Sequence, residues 1–259
     1  MPTARIGTSG WNYRHWRTRF YPEDVPVADW LPWFAARFAT VELNTTFYGI
    51  PAPTTTARWP TRVPRGFRFA VKLWKGITHY KRLKDCGAHL ERFFAAVEPL
   101  GAARGPLLVQ LPGRWHRDAA RLDSFLRDAR SAASLRWRIA VEVRDPDWVH
   151  PEIYRVLDRH GAAMALADLP KCPVIEPNDA PLVYVRRHGP HGGYRANYPP
   201  ERLAADAAAV ARWLGEGRDC WCYYNNDIDG CALDDATALA DQVGAPWPRL
   251  RRRRSPSLA

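Results

Sequence analysis

Along this chain, short runs of apolar and β-branched residues alternate with longer stretches in which apolar residues recur every three or four positions. Parallel strands joined by crossover helices produce such an alternation. Eight runs read as strands: Ala4 to Thr8, Thr40 to Asn44, Arg68 to Leu73, Leu107 to Leu111, Ile139 to Arg144, Ala163 to Asp168, Leu182 to Arg186 and Cys220 to Asn225. Their near-continuous apolar character fits strands covered on both faces. Between them, Asp29 is expected to cap a helix carrying Trp30, Phe34 and Phe38. Leu90, Phe93, Phe94 and Val97 form one helical stripe within His89 to Leu100, and Leu122, Phe125, Leu126 and Ala129 form the next. Pro151 opens a helix through Ile153, Tyr154 and Leu157 that Gly161 ends, and later helices run near Glu201 to Leu214 and Leu233 to Val243. One connection is different. The segment LPKCPVIEPNDAP, between Asp168 and Leu182, is proline-rich and too short for a crossover helix with its loops, which predicts a degenerate sixth unit. The predicted fold is therefore α/β: a (β/α)8 TIM-like barrel in a single domain over residues 1–248, with an irregular sixth β/α unit.

Polar residues are not scattered over this pattern. Nearly every apolar run ends in one at its carboxyl end: Glu42 and Asn44, Lys72, Gln110, Glu142 and Arg144, Asp168, Arg186 with His188, and Asn225 with Asn226. Side chains two apart on a strand share a face, so Glu42 goes with Asn44, Glu142 with Arg144, and Tyr184 with Arg186 and His188. A barrel brings those ends to one mouth, where barrel enzymes carry their catalytic groups. The competing reading is a buried network in which Glu42, Glu142 and Arg144 satisfy one another, because a charge stripped of water must be paired. Barrel interiors are ordinarily filled by Val, Ile and Leu, which favours a site.

Composition narrows the class. Hydrophobic residues at 46% and charged residues at 25% are ordinary for a globular chain of 259 residues. The amino terminus MPTARIGTSGW lacks the apolar run of a secretory signal, and no stretch approaches a membrane span, so a cytoplasmic location without membrane contact is expected. Cys86, Cys172, Cys220, Cys222 and Cys231 form neither a disulfide framework nor a zinc pair, and read as buried thiols. The net charge of +11 owes a noticeable part to Arg249–Arg254, in a basic tail over 249–259 expected to be disordered and to offer weak, nonspecific affinity for anions.

The motifs GTSGW (Gly7 to Trp11), FYP (Phe20 to Pro22), VELNTTFYGIP (Val41 to Pro51), FRFAVK (Phe67 to Lys72), ITH (Ile77 to His79), GPLLVQLP (Gly105 to Pro112), VEVRDPDW (Val141 to Trp148), VYVRRHG (Val183 to Gly189) and YYNND (Tyr223 to Asp227) occur in order along most of the chain. Through them the sequence resembles the domain-of-unknown-function family seventy-two, the YecE-like proteins. The resemblance implies a TIM-like barrel of the general kind seen in sugar isomerases and the endonuclease IV group, and implies no established activity. The chain departs from the pattern at Leu169, where similar proteins often carry serine after the acid.

On chemistry, Glu42 and Glu142 are the leading acid/base candidates, with Asp168 beside them, since pocket carboxylates near basic groups can have their proton affinities set apart. Arg144, Arg186 and Lys72 would orient an anion, helped by Trp11, Tyr13, Asn44, His79, Gln110, His188, Asn225 and Asn226. Gly189, Gly192 and Gly193 in RRHGPHGGY would let backbone amides approach a phosphate. Aromatic residues collect nearby, including Phe47, Tyr48, Trp74, Trp148, Tyr194 and Tyr198, although over half of the 12 tryptophans are assigned to packing. No cofactor and no metal site are assigned, because His79 and His188 are the only histidines well placed beside the acids. A retaining glycosidase would want carboxylates where this chain has Gln110 and Arg186. The leading expectation is an enzyme of hydrolase or lyase type acting on a small anionic, phosphate-bearing substrate. A noncatalytic nucleic-acid-binding barrel and a divalent-metal phosphoesterase are the alternatives.

Overall fold

A computed structural model describes residues 1–245; the boundary expected at residue 248 and the basic tail lie outside the described residues. Ten strands, β1 (Ala4–Ser9), β2 (Thr40–Leu43), β3 (Arg68–Lys72), β4 (Arg104–Gln110), β5 (Ile139–Glu142), β6 (Ala163–Met164), β7 (Leu166–Leu169), β8 (Cys172–Val174), β9 (Leu182–Arg187) and β10 (Asp219–Tyr224), form one curled sheet. Its order is β6-β5-β4-β3-β2-β1-β10-β9-β7-β8, and every pairing is parallel except β7 with β8. The expected sixth strand is split at Ala165: its first half pairs with β5 and its second with β9. One segment thus joins both ends of the sheet, and the fold is a TIM-like barrel. The irregular sixth unit has a clear cause. Where a crossover helix would stand, β8 folds back antiparallel on β7, and its Pro173 is tolerated because β8 pairs on one side alone.

The helices are α1 (Trp30–Ala35), α2 (Thr45–Tyr48), α3 (Pro53–Arg58), α4 (Gly87–Val97), α5 (Ala119–Ala132), α6 (Pro151–Arg159), α7 (Pro200–Gly215) and α8 (Cys231–Gln242). Helix α5 is capped by Asp118, which accepts from the Arg121 N–H at 2.9 Å, and buries Leu122, Phe125, Leu126 and Ala129 against the barrel. Asp29 does not cap α1 as expected. Its carboxylate lies 2.8 Å from Arg62 instead, because a preceding 3-10 turn, Val27–Asp29, already leads the chain into the helix. Trp16, Trp30, Trp115, Trp137, Trp148, Trp213 and Trp221 are buried, so most of the 12 tryptophans pack the core. No helix among the described residues is long and apolar enough to cross a membrane.

Period-two geometry divides the strands into two faces. Cys220, Cys222 and Tyr224 of β10 join the outer core beneath the helices, while Trp221 and Tyr223 join a second cluster inside the barrel. That interior contains Ala70, Ala140, Ala163 and Ala165 beside Leu108, Tyr184 and Tyr223. Small residues on β3, β5 and the sixth strand leave room for rings from β9 and β10, where a barrel ordinarily fills its centre with branched aliphatics. Above this layer, at the carboxyl ends, the inward positions become charged.

Candidate functional site

Arg186 lies at the centre of the mouth, 1% exposed, between two glutamates that are completely buried. Its guanidinium forks onto Glu42, donating from Nε to Oε2 at 2.9 Å and from Nη2 to Oε1 at 2.8 Å, while Nη1 donates to Glu142. Ser9 and Tyr184 hydroxyls donate to the remaining lone pairs of Glu42 at 2.8 and 2.7 Å. Arg144 donates from Nε to Glu142 at 2.8 Å and from Nη1 to Tyr194 at 3.2 Å. The three side chains expected to meet, Glu42, Glu142 and Arg186, therefore do so. Burial pushes both carboxyls up, but the Arg186 charge overrides it and holds them below the ordinary range. Both stay ionised at neutral pH, so the expected separation of their proton affinities is not what this geometry provides.

Behind Arg186 lies His188. Arg186 Nη1 is 3.1 Å from its Nε2 and can only donate, so that nitrogen accepts and the proton sits on Nδ1, 3.4 Å from Asp168. Burial opposes a charged ring and outweighs the pull of Asp168, leaving the imidazole neutral. Asp168 also accepts from the His188 backbone N–H at 2.8 Å and from the Tyr198 hydroxyl. It holds the start of the loop after β9.

In front of Arg186 opens a cavity of about 910 Å³, within the range of small-molecule sites. Of the expected site residues, Trp11, Tyr13, Asn44, Lys72, His79, Gln110, Arg144, Arg186 and Asn225 line it. Glu42, Glu142, Asp168 and His188 stand behind that wall. Asn226 is turned away altogether, because the residue after an inward-facing Asn225 faces outward. It is fully buried and donates to Asp235 of α8 at 2.6 Å and to the Ala196 carbonyl at 2.8 Å. The expected glycine loop also differs. The Gly189 N–H donates to the Tyr198 hydroxyl at 2.7 Å and the Gly192 N–H to the Gly189 carbonyl at 2.8 Å, so neither amide is turned to a ligand. Gly189 is required for shape: at φ +95° any Cβ would come 2.5 Å from the Arg195 carbonyl.

Lys72 differs from the other cations. It is 8% exposed, has no carboxylate within ion-pair distance among the described residues, and lies over the Phe47 ring at 4.1 Å. Burial, then the Arg186 charge, pushes its ammonium down to about 7. His79, held by Thr78 at 2.8 Å, is pushed down to about 4 by burial and by Lys72, so it presents a neutral ring. Lys75 and Tyr80 also line the cavity and were missed by sequence reasoning, which looked to strand ends. They stand on a long loop after β3 that contains a π-helical turn, Gly76–Tyr80, a feature frequent at functional sites. Among the described residues no group of three or more His, Cys, Asp or Glu side chains is placed to hold a metal. Between Glu42 and Glu142, the cation is a guanidinium.

The family described as "Protein of unknown function DUF72" matches residues 5–258. The chain is 31% identical to the UPF0759 protein YecE of Escherichia coli (strain K12) over 116 residues, a match spanning 44% of this chain and 41% of that relative. It is 22% identical to the UPF0759 protein YunF of Bacillus subtilis (strain 168) over 96% of this chain and 97% of that one. The crystal structure of a DUF72 family protein from Thermotoga maritima superposes with a TM-score of 0.81 at 26% identity, covering 93% of this chain and 99% of its own. One from Enterococcus faecalis gives 0.80 at 20% identity, covering 95% and 97%. Each of those two structures shares the barrel along nearly its whole length, and with the family match over almost the entire sequence the chain belongs to the DUF72 family.

Proposed function

We propose that this protein is an enzyme, hydrolytic or lyase-like, that binds a small anion in the carboxyl-end cavity and moves a proton through Lys72. The observation that supports this most directly is an amine walled into the cavity without a carboxylate, beside Arg144 and Arg186. Glu42 and Glu142 offset Arg186 and Arg144, so the charges behind the wall cancel and the cations in front, Lys72 and Lys75, are left to face a ligand. An anion would complete this balance. A proton affinity near neutrality also matches what general acid/base chemistry requires. In this reading Arg144 and Lys75 hold the anionic group, Gln110, Asn44 and Asn225 orient the remainder, and Glu42 and Glu142 position Arg186 without transferring protons themselves.

A screen of phosphate monoesters, phosphodiesters and hydroxy or keto acids tests it. A substrate turned over by the wild type is expected to lose about 10²–10⁴-fold in kcat with Lys72→Met, the usual contribution of a positioned acid or base. Undiminished turnover by Lys72→Met would remove Lys72 from the mechanism.

Tyr48 and Tyr80, 68% and 72% exposed, flank Lys75 at 5.5 and 5.6 Å from its ammonium, and this pair favours a second reading. Rings and a cation at a cavity rim suit stacked bases of a single strand. A noncatalytic nucleic-acid-binding barrel should bind single strands with steep salt dependence and weaken with Tyr80→Ala. Salt-independent or absent binding would dismiss it.

A further inference from the structure

The inward-facing positions that carry the carboxyl-end cluster continue, two residues at a time, toward the opposite mouth, and there they are arginines. On β1 the series is Arg5, Gly7, Ser9; on β3, Arg68, Ala70, Lys72; on β4, Arg104, Pro106, Leu108, Gln110; ahead of and along β5, Arg136, Arg138, Ala140, Glu142. These five guanidiniums line a second cavity of about 490 Å³ with Thr3, Asp219 and Trp221. A layer containing Ala70, Leu108, Tyr184 and Tyr223, with Thr40 bonded to Tyr223 at 2.7 Å, separates it from the first.

One acid faces five cations here. Asp219 is occupied by the Thr3 N–H at 2.7 Å, the Thr3 hydroxyl at 3.0 Å and Arg138. Arg5 donates to the Gly66 carbonyl at 3.1 Å and covers the Trp221 ring at 5.3 Å. Arg104 donates to the Gly101 carbonyl at 3.0 Å and Arg68 to the Phe67 carbonyl at 3.0 Å. None of Arg5, Arg68, Arg104 and Arg136 has a carboxylate partner among the described residues. Trp221, 5% exposed, has an indole N–H without a partner. Burial first, then the charge of Arg68, pushes the Arg5 guanidinium below its ordinary value, against the opposing pull of Asp219.

From this arrangement we infer that the amino-terminal mouth is a second anion site, for a compact molecule carrying two or more phosphate groups. Arginine forks match phosphate oxygens in pairs, and several converging forks in a concave site favour several linked phosphates over one. The cavity is of small-molecule size, and Arg5 already occupies the one ring that could stack on a base. The two cavities share no lining residue and the layer of Ala70, Leu108, Tyr184 and Tyr223 lies between them, so this site does not rest on the reading proposed for Lys72.

Isothermal titration with tripolyphosphate at fixed ionic strength tests the assignment. The wild type is expected to bind it at least tenfold more tightly than orthophosphate. Arg68→Gln/Arg136→Gln should weaken binding by tenfold or more, both alone and on a Lys72→Met background in which the other mouth has lost its unpaired cation. Arg136→Gln alone, at an exposed position, should weaken it severalfold and serves if the double variant does not fold. Equal affinity in wild type and Arg136→Gln, or a loss seen with Lys72→Met instead, would overturn the assignment. A single-stranded oligonucleotide that outcompetes tripolyphosphate at equal phosphate concentration would overturn it in favour of a nucleic-acid backbone.

Discussion

Exchanging Lys72 for methionine keeps the aliphatic stem on Phe47 and removes a cation that burial and Arg186 both oppose. The variant is expected to be more stable than the wild type at pH 7, on the order of 2–4 kcal/mol, because a buried charge without a partner costs several times a thermal unit. The pH dependence has a definite sign. In the folded chain the Lys72 proton is released near pH 7, in the unfolded chain only near the ordinary 10.5, so between those values the unfolded state binds more protons. Wild-type stability should therefore rise relative to Lys72→Met across that window, and parallel curves in urea unfolding would contradict the assignment. The glutamates give the same sign in a lower window. Their folded values are depressed, so their contribution is present above the ordinary 4.5 and is lost as pH falls below it. Arg186→Met leaves two buried carboxylates facing each other and should cost about 3–5 kcal/mol, with most of the loss recovered when the pH is lowered. Convergence of Glu42, Glu142 and Arg186 was legible from strand parity alone. What parity could not give was the pairing: Arg186 reaching both glutamates leaves Lys72 with neither, an outcome of side-chain length and depth in the closed barrel. Asn226 is a different case, since parity already separates it from Asn225.

At the scale of elements, the eight strands were legible because burial on both faces makes each a short, continuous apolar run, and a helix cannot be apolar all round in a single-layer shell. The breaks in regularity were legible only by composition. Prolines signalled that Leu169–Pro181 would not form a helix, but not that β8 would turn back on β7. Arg187, next to Arg186, carries no signal of its own at a strand end, yet the same alternation sends it outward. It forks onto Asp206 of α7, donating from Nε at 2.7 Å and Nη2 at 2.6 Å, with both side chains almost entirely buried. This pair fastens α7 to β9. Asp206→Ala should therefore destabilise by about 3–5 kcal/mol in denaturant unfolding, and Arg187→Met/Asp206→Leu should recover most of it, since an apolar pair of similar volume is often neutral or better. A loss as large in the double variant as in the single would mean the ion pair contributes beyond its own desolvation, through the Arg202 that also reaches Asp206 at 3.2 Å.

For the molecule as a whole, the barrel separates two cationic mouths with an uncharged centre, and the chain carries 38 basic against 27 acidic residues. Nothing at the carboxyl ends points to the amino-terminal arginines, although the same period of two that brings Glu42 and Glu142 together also aligns Arg5, Arg68 and Arg138. Excess charge of one sign repels itself in the compact state, and surface repulsion is screened over about 10 Å at 0.1 M salt, whereas the buried Arg186 cluster is screened far less. Added salt should therefore raise the melting temperature between about 10 and 200 mM, the opposite of what a fold held by exposed ion pairs would show. Arg68→Gln/Arg136→Gln, which relieves repulsion at one mouth without breaking an ion pair among the described residues, should melt higher in low salt, on the order of 3 °C, and converge on the wild type in high salt. If it melts lower at every salt concentration, the arginines support the mouth through their aliphatic stems, and the repulsion invoked for them is too weak to matter.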